Sequence, residues 1–205
     1  MILIMNFEFI DFSVDGGVAV LRLNRPDNLN SWNQQMRDEL RTAVTVMASD
    51  DSLRVAIITG TGRAFSAGED VRGMKGLADI GTRGFRRVVR DIHNVFDEIE
   101  AIEIPVIAAI NGVAAGGGLE LALSCDFRFA SNHAKLGLPE NNVGLIPGSG
   151  GCSRLVRTVG LSTAKRLVMT AEMVTADRAL QMGLIDEVFP PEQLMEQAFD
   201  FARRL

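Results

Sequence analysis

Two glutamates and two glycine-bearing turns hold most of the chemistry this sequence could perform. Glu120 closes the segment Asn111-Gly-Val-Ala-Ala-Gly116-Gly117-Gly118-Leu119-Glu120, and Glu140 closes Leu136-Gly-Leu-Pro139-Glu140. A pair of carboxyls beside an anion site can act as general acid and general base near neutral pH, with partial burial raising one or both pKa values. Alone, each has a plainer explanation. A Glu in a first helical turn is favoured by the helix dipole, and Glu140 also fits an ordinary surface acid.

The two turns would supply what the acids lack. Three consecutive glycines entering a helix leave unpaired N–H groups and the positive end of the dipole facing open space, which favours an anion. Ahead of them lies Arg63-Ala-Phe-Ser-Ala-Gly68-Glu69-Asp70, where Gly68 lets the backbone turn so that the Glu69 N–H can point into a cleft. Two main-chain donors aimed at one point would form an oxyanion hole. Read singly, the first segment is also close helix-on-strand packing and the second an ordinary strand-to-helix turn. Other features offer less. Pro147-Gly-Ser-Gly-Gly151 lacks the spacing of a phosphate-binding or dinucleotide fingerprint and reads as a turn shaping a pocket wall. Ser66 lacks the glycine-bracketed elbow of a hydrolase nucleophile, and His93 sits beside apolar positions of a helix as a core or surface residue.

The elements that must position these groups alternate along the chain. Val18–Leu23 is an extended apolar run ended by Asn24-Arg25-Pro26-Asp27, a strand and turn. Met36, Leu40, Ala43, Val44 and Met47 recur at helical spacing from Asn33 to Ser49. Val55–Thr59 and Val106–Ile110 are short continuous apolar runs, suited to strands buried on both faces. Between them Phe85, Val88, Val89, Ile92, Val95, Phe96 and Ile99 mark a long amphipathic helix that Pro105 follows. Asn111–Gly118 reads as a tight turn, Leu119–Ser124 as the start of a short helix, Asp126–Ala130 as a strand and Gln193–Leu205 as a helix. This interleaving predicts an α/β fold with a largely parallel sheet, and 205 residues without a linker-like stretch predict one domain spanning residues 1–205.

Composition narrows the function classes. The chain is 47% hydrophobic and 23% charged, so a packed core is expected throughout. Its net charge of −5 and lack of a basic run argue against nucleic acid. Met1-Ile-Leu-Ile-Met5 has no basic flank and makes a poor signal peptide. No apolar run approaches the roughly 20 residues that cross a bilayer, so no membrane partner is expected. Cys125 and Cys152 have no metal spacing and His93 and His133 are the two histidines, so reduced thiols in a cytoplasm and no metal site are expected.

Eight segments in order carry a resemblance over nearly the whole chain: Leu23-Asn-Arg-Pro26, Ala64–Asp70, Ile104–Gly112, Ala115–Leu121, Cys125-Asp126, Leu138-Pro-Glu140, Gly144–Gly151 and Ala179–Asp186. Together they resemble the crotonase (enoyl-CoA hydratase/isomerase) family. The resemblance implies a crotonase-like spiral of ββα turns, with two roughly perpendicular sheets flanked by helices and assembly as a homotrimer or hexamer. It implies an acyl-CoA substrate in fatty-acid metabolism and no cofactor beyond the CoA that is part of the substrate. By motif position, the N–H groups of Glu69 and Gly117 would polarise the thioester carbonyl. Glu140 would exchange a proton at the alpha carbon while Glu120 activates the water that adds to the beta carbon. Ala67, Gly68, Glu69, Asp70 and Val71 would line the CoA side. Both acids are present, which favours a hydratase over an isomerase, the runner-up; an acyl-CoA-binding subunit without activity is the alternative of another class. Asn141 and Asn142 stand where many hydratases have apolar residues and point to a short or polar acyl group. Glu69 places an acid at a position usually small. Family members usually continue with further C-terminal helices, so a core lacking some or all of them is expected.

Overall fold

The computed structural model describes residues 7–70, 72 and 80–205. Val71 and the apolar Met1–Met5 segment lie outside the described residues. The chain opens with β1 (Ile10–Asp15) and β2 (Val18–Leu23), an antiparallel hairpin closed by Gly16 and Gly17. Helix α1 (Gln34–Ser49) follows, its first turn capped by Asn33, whose side chain accepts from the Met36 N–H at 2.9 Å.

Three successive turns of chain then repeat one pattern. Each lays a strand into a large sheet and a shorter strand into a small one, then returns through a helix. The first comprises β3 (Val55–Gly60), β4 (Ala64–Ser66) and α2 (Gly81–Ala101). The second comprises β5 (Val106–Ile110), β6 (Val113–Ala115) and α3 (Gly117–Ser124). The third comprises β7 (Phe127–Ser131), β8 (Lys135–Gly137), a 3-10 turn over Pro139–Val143 and α4 (Gly151–Thr170). The chain finishes through β9 (Val174–Thr175), α5 (Ala176–Gln181), β10 (Glu187–Phe189) and α6 (Leu194–Ala202). The large sheet runs β1-β2-β3-β5-β7-β10 and is parallel from β2 onward; the small one runs β4-β6-β8-β9, with β9 antiparallel. The α/β expectation and the two-sheet spiral are both observed.

The continuous apolar runs are explained by burial on both faces of the large sheet. One face carries Leu21, Leu23, Ile58 and Ala108 into the main core with Met36, Phe65, Phe96 and Leu119. The other carries Val20, Ile57, Ile107 and Phe129 under Leu194, Ala198 and Ala202 of α6. Trp32 stands edge-on to Phe96 with ring centroids 5.4 Å apart, joining the segment before α1 to α2.

Several elements depart from the sequence reading. The expected single turn over Asn111–Gly118 contains β6, because three residues suffice when the pleat is completed by β4 and β8 on either side. Pro147–Gly151 is a turn, as expected, but one that leads into a helix of twenty residues, α4, interrupted at Gly160 with φ 77. That interruption breaks the apolar period that would have marked the helix. The final helix ends at Ala202, short of the expected Leu205.

Candidate active site

Glu69 is placed by pairing with Trp32. The Gly68 carbonyl accepts from the Trp32 N–H at 2.8 Å and the Asp70 N–H donates to the Trp32 carbonyl at 3.0 Å. In a strand, neighbouring residues present their N–H groups to opposite sides. The Glu69 N–H is therefore turned away from Trp32 and finds no acceptor among the described residues. Gly68 adopts φ 81, and a Cβ added there would lie 2.8 Å from the Gly117 nitrogen. The Glu69 turn thus rests directly on the start of α3.

At that start, the Gly116 N–H donates to the Gly137 carbonyl at 3.0 Å, while the carbonyl of Gly116 takes the first helical bonds, from Leu119 and Glu120. Gly117 lies in the first turn, where N–H groups have no intrahelical acceptor. A side chain here has no room: a Cβ on Gly117 would lie 2.9 Å from Cζ3 of Trp32. Ala67, Glu69, Gly116 and Gly117 border one cavity of about 750 Å³.

The two glutamates reach the same cavity from different elements. Glu120, on α3, is 3% exposed. Its Oε1 accepts from the Ser149 and Gly151 N–H groups, each at 2.8 Å, leaving Oε2 without a protein partner among the described residues. Burial raises its pKa against the lowering effect of those two donors. Glu140 rides the Pro139–Val143 turn, and its Oε2 is buried with no hydrogen-bond partner. Burial, aided by the negative charge of Glu120, pushes its carboxyl up to about 7. Along α2 the wall carries Phe85, Val88, Val89 and Ile92 together with Arg86 and Arg90, and Leu145 and Ile146 line the same cavity.

The structure thus brings Glu120, Glu140, Gly117, Glu69 and Ala67 to one cavity. It treats the remaining expected residues differently. Gly68 packs beneath the turn rather than in the wall. The Asp70 side chain binds Arg72 and Arg25, the latter at 2.9 Å, and these partners hold its carboxyl well below the usual carboxylate range. The Glu69 side chain is paired with Arg37 of α1. Asn142 lines the cavity, but Asn141 turns its amide to the Met169 carbonyl at 2.9 Å. Of the two amides expected near an acyl group, one is therefore in place.

Several contributors were missed from sequence, among them Arg86 and Arg90 of α2, which line the cavity. The Pro147–Gly151 turn does shape the wall, and it also supplies both N–H donors to Glu120. His93 reaches the cavity from α2, with Nδ1 3.3 Å from the Gly148 carbonyl. Its i−4 and i−5 neighbours Val89 and Val88 line the same wall, a spacing that could have signalled it. Ser66 is structural: its hydroxyl donates to the Asn30 carbonyl at 2.8 Å and accepts from the Gly68 N–H at 3.1 Å.

A chain that lays one strand into each of two sheets per turn, and gathers Glu69, Gly117 and two carboxyls with raised pKa values around one cavity, has the architecture of a crotonase-fold protein. The family comparison agrees: the enoyl-CoA hydratase/isomerase family matches residues 13–205, and the chain belongs to it. It is 42% identical over 202 residues to a crotonyl-CoA hydratase of Syntrophomonas wolfei, covering 98% of this chain and 76% of that protein. A short-chain-enoyl-CoA hydratase of Clostridium acetobutylicum is 41% identical with the same coverage. Among solved structures, an enoyl-CoA hydratase from Bacillus anthracis superposes with a TM-score of 0.91 at 37% identity, covering 96% of this chain and 76% of that one.

Proposed function

We propose that this protein is an enoyl-CoA hydratase, adding water across the 2,3 double bond of a 2-enoyl-CoA. The observation that carries the reading is that two carboxyls with raised pKa values line one cavity together with Glu69 and Gly117, whose N–H groups are its candidate oxyanion donors. The thioester oxygen would sit between the Glu69 and Gly117 N–H groups, which favour the enolate-like charge that develops when the beta carbon is attacked. Water would lie between the acids. Glu120, its Oε1 tethered, takes a proton from the water through Oε2 as the water oxygen bonds to the beta carbon. Glu140, neutral below its pKa of about 7, gives a proton to the alpha carbon. One O–H bond of water is broken, a C–O and a C–H bond form, and the two acids exchange one proton in net terms before resetting.

The CoA moiety is assigned to the side of the cavity lined by Ala67 and Glu69. The acyl group would extend along Phe85, Val88, Val89 and Ile92 of α2, and the Asn142 amide lining the same cavity supports a short or polar chain. Names of the relatives, crotonyl-CoA and short-chain-enoyl-CoA hydratase, point the same way. Assembly as a homotrimer or hexamer is supported by the exposed Leu161 and Met169, apolar side chains that self-association would cover, and a cytoplasmic location is proposed with it.

The test is direct. Purified protein is offered 2-enoyl-CoA thioesters of graded chain length, and loss of the conjugated thioester absorbance is followed. Turnover that declines with chain length is expected. Binding of the thioesters without any loss of absorbance would replace the hydratase reading with that of an acyl-CoA-binding subunit.

A further inference from the structure

Glu120 stands at the end of a line of contacts that begins on another helix. The turn that donates to its Oε1 is glycine-rich, with Gly150 at φ 97, and has no ladder bonds to keep its shape. Arg154, 3% exposed, folds back onto it from the first turns of α4. Its Nη1 donates to the Ser149 carbonyl at 3.1 Å, Nε to Glu100 at 2.8 Å and Nη2 to Asp97 at 2.6 Å, both acids on α2. A Cβ on Gly150 would lie 1.9 Å from Nη1, so the tip of the guanidinium is pressed against the turn. His93 adds a second tie from α2, between the Gly148 carbonyl and, at 3.4 Å, the same Asp97 carboxylate.

We infer that Arg154 is a positioning residue for Glu120: pinned by Asp97 and Glu100, it holds the Ser149–Gly151 turn so that the two N–H groups fix the Glu120 carboxylate for work on water. A buried guanidinium that merely balanced two acids would need no third arm. Here that arm ends on Ser149, the residue whose own N–H holds Glu120, and the planar fork spans α2 and the turn as a lysine could not. The groups facing Glu120 are Glu140 from the Pro139–Val143 turn, His93 from α2, and Arg154 and Cys152 from α4. If the turn drifts, the donors that favour the ionised carboxyl are lost while burial and Glu140 remain, so Glu120 should titrate at higher pH.

The kinetic part of this inference rests on the hydratase reading; the titration does not. Arg154→Met and Arg154→Lys are compared with wild type by enoyl-CoA turnover across pH. The Glu120 carboxyl is followed by carbon-13 NMR, its resonance assigned through Glu120→Gln. For Arg154→Met, kcat is expected to fall about tenfold or more, with KM within about twofold. Glu120 should titrate at higher pH, and Lys should restore part of both effects. The double variant Asp97→Asn/Glu100→Gln alters half-exposed side chains and unties Arg154 without deleting it. It keeps the Arg154 charge, which by itself lowers the Glu120 pKa, so the same shifts in smaller size here report the position of the turn and decide the matter, even if Arg154→Met does not fold. A folded variant in which Glu120 titrates as in wild type overturns the inference, whether kcat is unchanged or reduced equally at every pH. Absence of hydration by wild type would instead sink the proposed function, while the titration would still judge Arg154.

Discussion

The two halves of the site hold the same side chain in opposite ways. On the α3 side, Glu120 is nearly sealed, and one oxygen is committed to two backbone donors. On the other, Glu140 sits on a single 3-10 turn with a buried oxygen that has no partner among the described residues. Burial raises both pKa values; two N–H groups from the Ser149–Gly151 turn favour the charged form of Glu120, whereas for Glu140 the donor is its own backbone N–H, and the negative charge of Glu120 adds to the rise. Environment alone therefore divides one residue type into a tethered acceptor and a carboxyl that can carry a proton near neutral pH.

The sharpest way to break that comparison is to remove each proton-transfer group while keeping its shape. Glu120→Gln and Glu140→Gln are each expected to cost roughly 10²–10⁴-fold in kcat with thioester binding little changed, measured by steady-state hydration and calorimetric binding. A severe loss for Glu140→Gln beside a mild one for Glu120→Gln would mean a proton shuttling between carbons, as in an isomerase, with no water to activate.

In the proposed reaction both acids depend on the thioester carbonyl being polarised by the Glu69 and Gly117 N–H groups. In Gly117→Ala the new Cβ would press on Trp32, 2.9 Å away, and move the Gly117 N–H from the Glu69 N–H. Loss of one such donor is expected to lower kcat about 10²-fold, with both acids untouched and the fold confirmed by circular dichroism.

The difference in protonation sharpens into a pH dependence. With Glu140 at about 7, hydration needs its neutral form and should fall about tenfold per unit well above that pH. Dehydration of the 3-hydroxyacyl product needs the ionised form and should fall below it. Opposite limbs near the same pH, lost together in Glu140→Gln, are the expected outcome of rate profiles in both directions.

The smallest effect concerns stability. A carboxyl whose folded pKa stands above its ordinary 4.5 contributes stability that is present below about 4.5 and lost as pH rises through about 7. Glu140→Gln should therefore unfold at higher denaturant concentration than wild type at pH 8, by about 1 kcal/mol after allowance for partial exposure. The difference should vanish near pH 4.5. Glu120→Gln should show less relief, since its N–H donors offset part of the cost of burial.

The strands of the large sheet could be read from the chain because each is sealed on both faces, so that β3 and β5 are unbroken apolar runs. Helices α1 and α2 showed themselves through a one-sided apolar period. Strands β4, β6 and β8 left no comparable trace. Three residues are too few for a period, and what makes them strands is the neighbour each finds after a full turn of chain. Helix α4 was hidden because Gly160 divides it and glycines open it.

For the site, the sequence determined the ingredients: glycines at 68 and 116 to 118 that allow the backbone to approach closely, and carboxyls at 120 and 140 in ordered motifs. What it left open was which groups meet. That the Gly68 turn rests on Gly117, that Ser149 and Gly151 spend their N–H groups on Glu120, and that Asn141 turns from the cavity while His93 enters it, depend on contacts between residues far apart in the chain. Local propensity depends on neighbours within a helical turn, but these contacts depend on how successive turns of the spiral stack, and only the tertiary structure decides that.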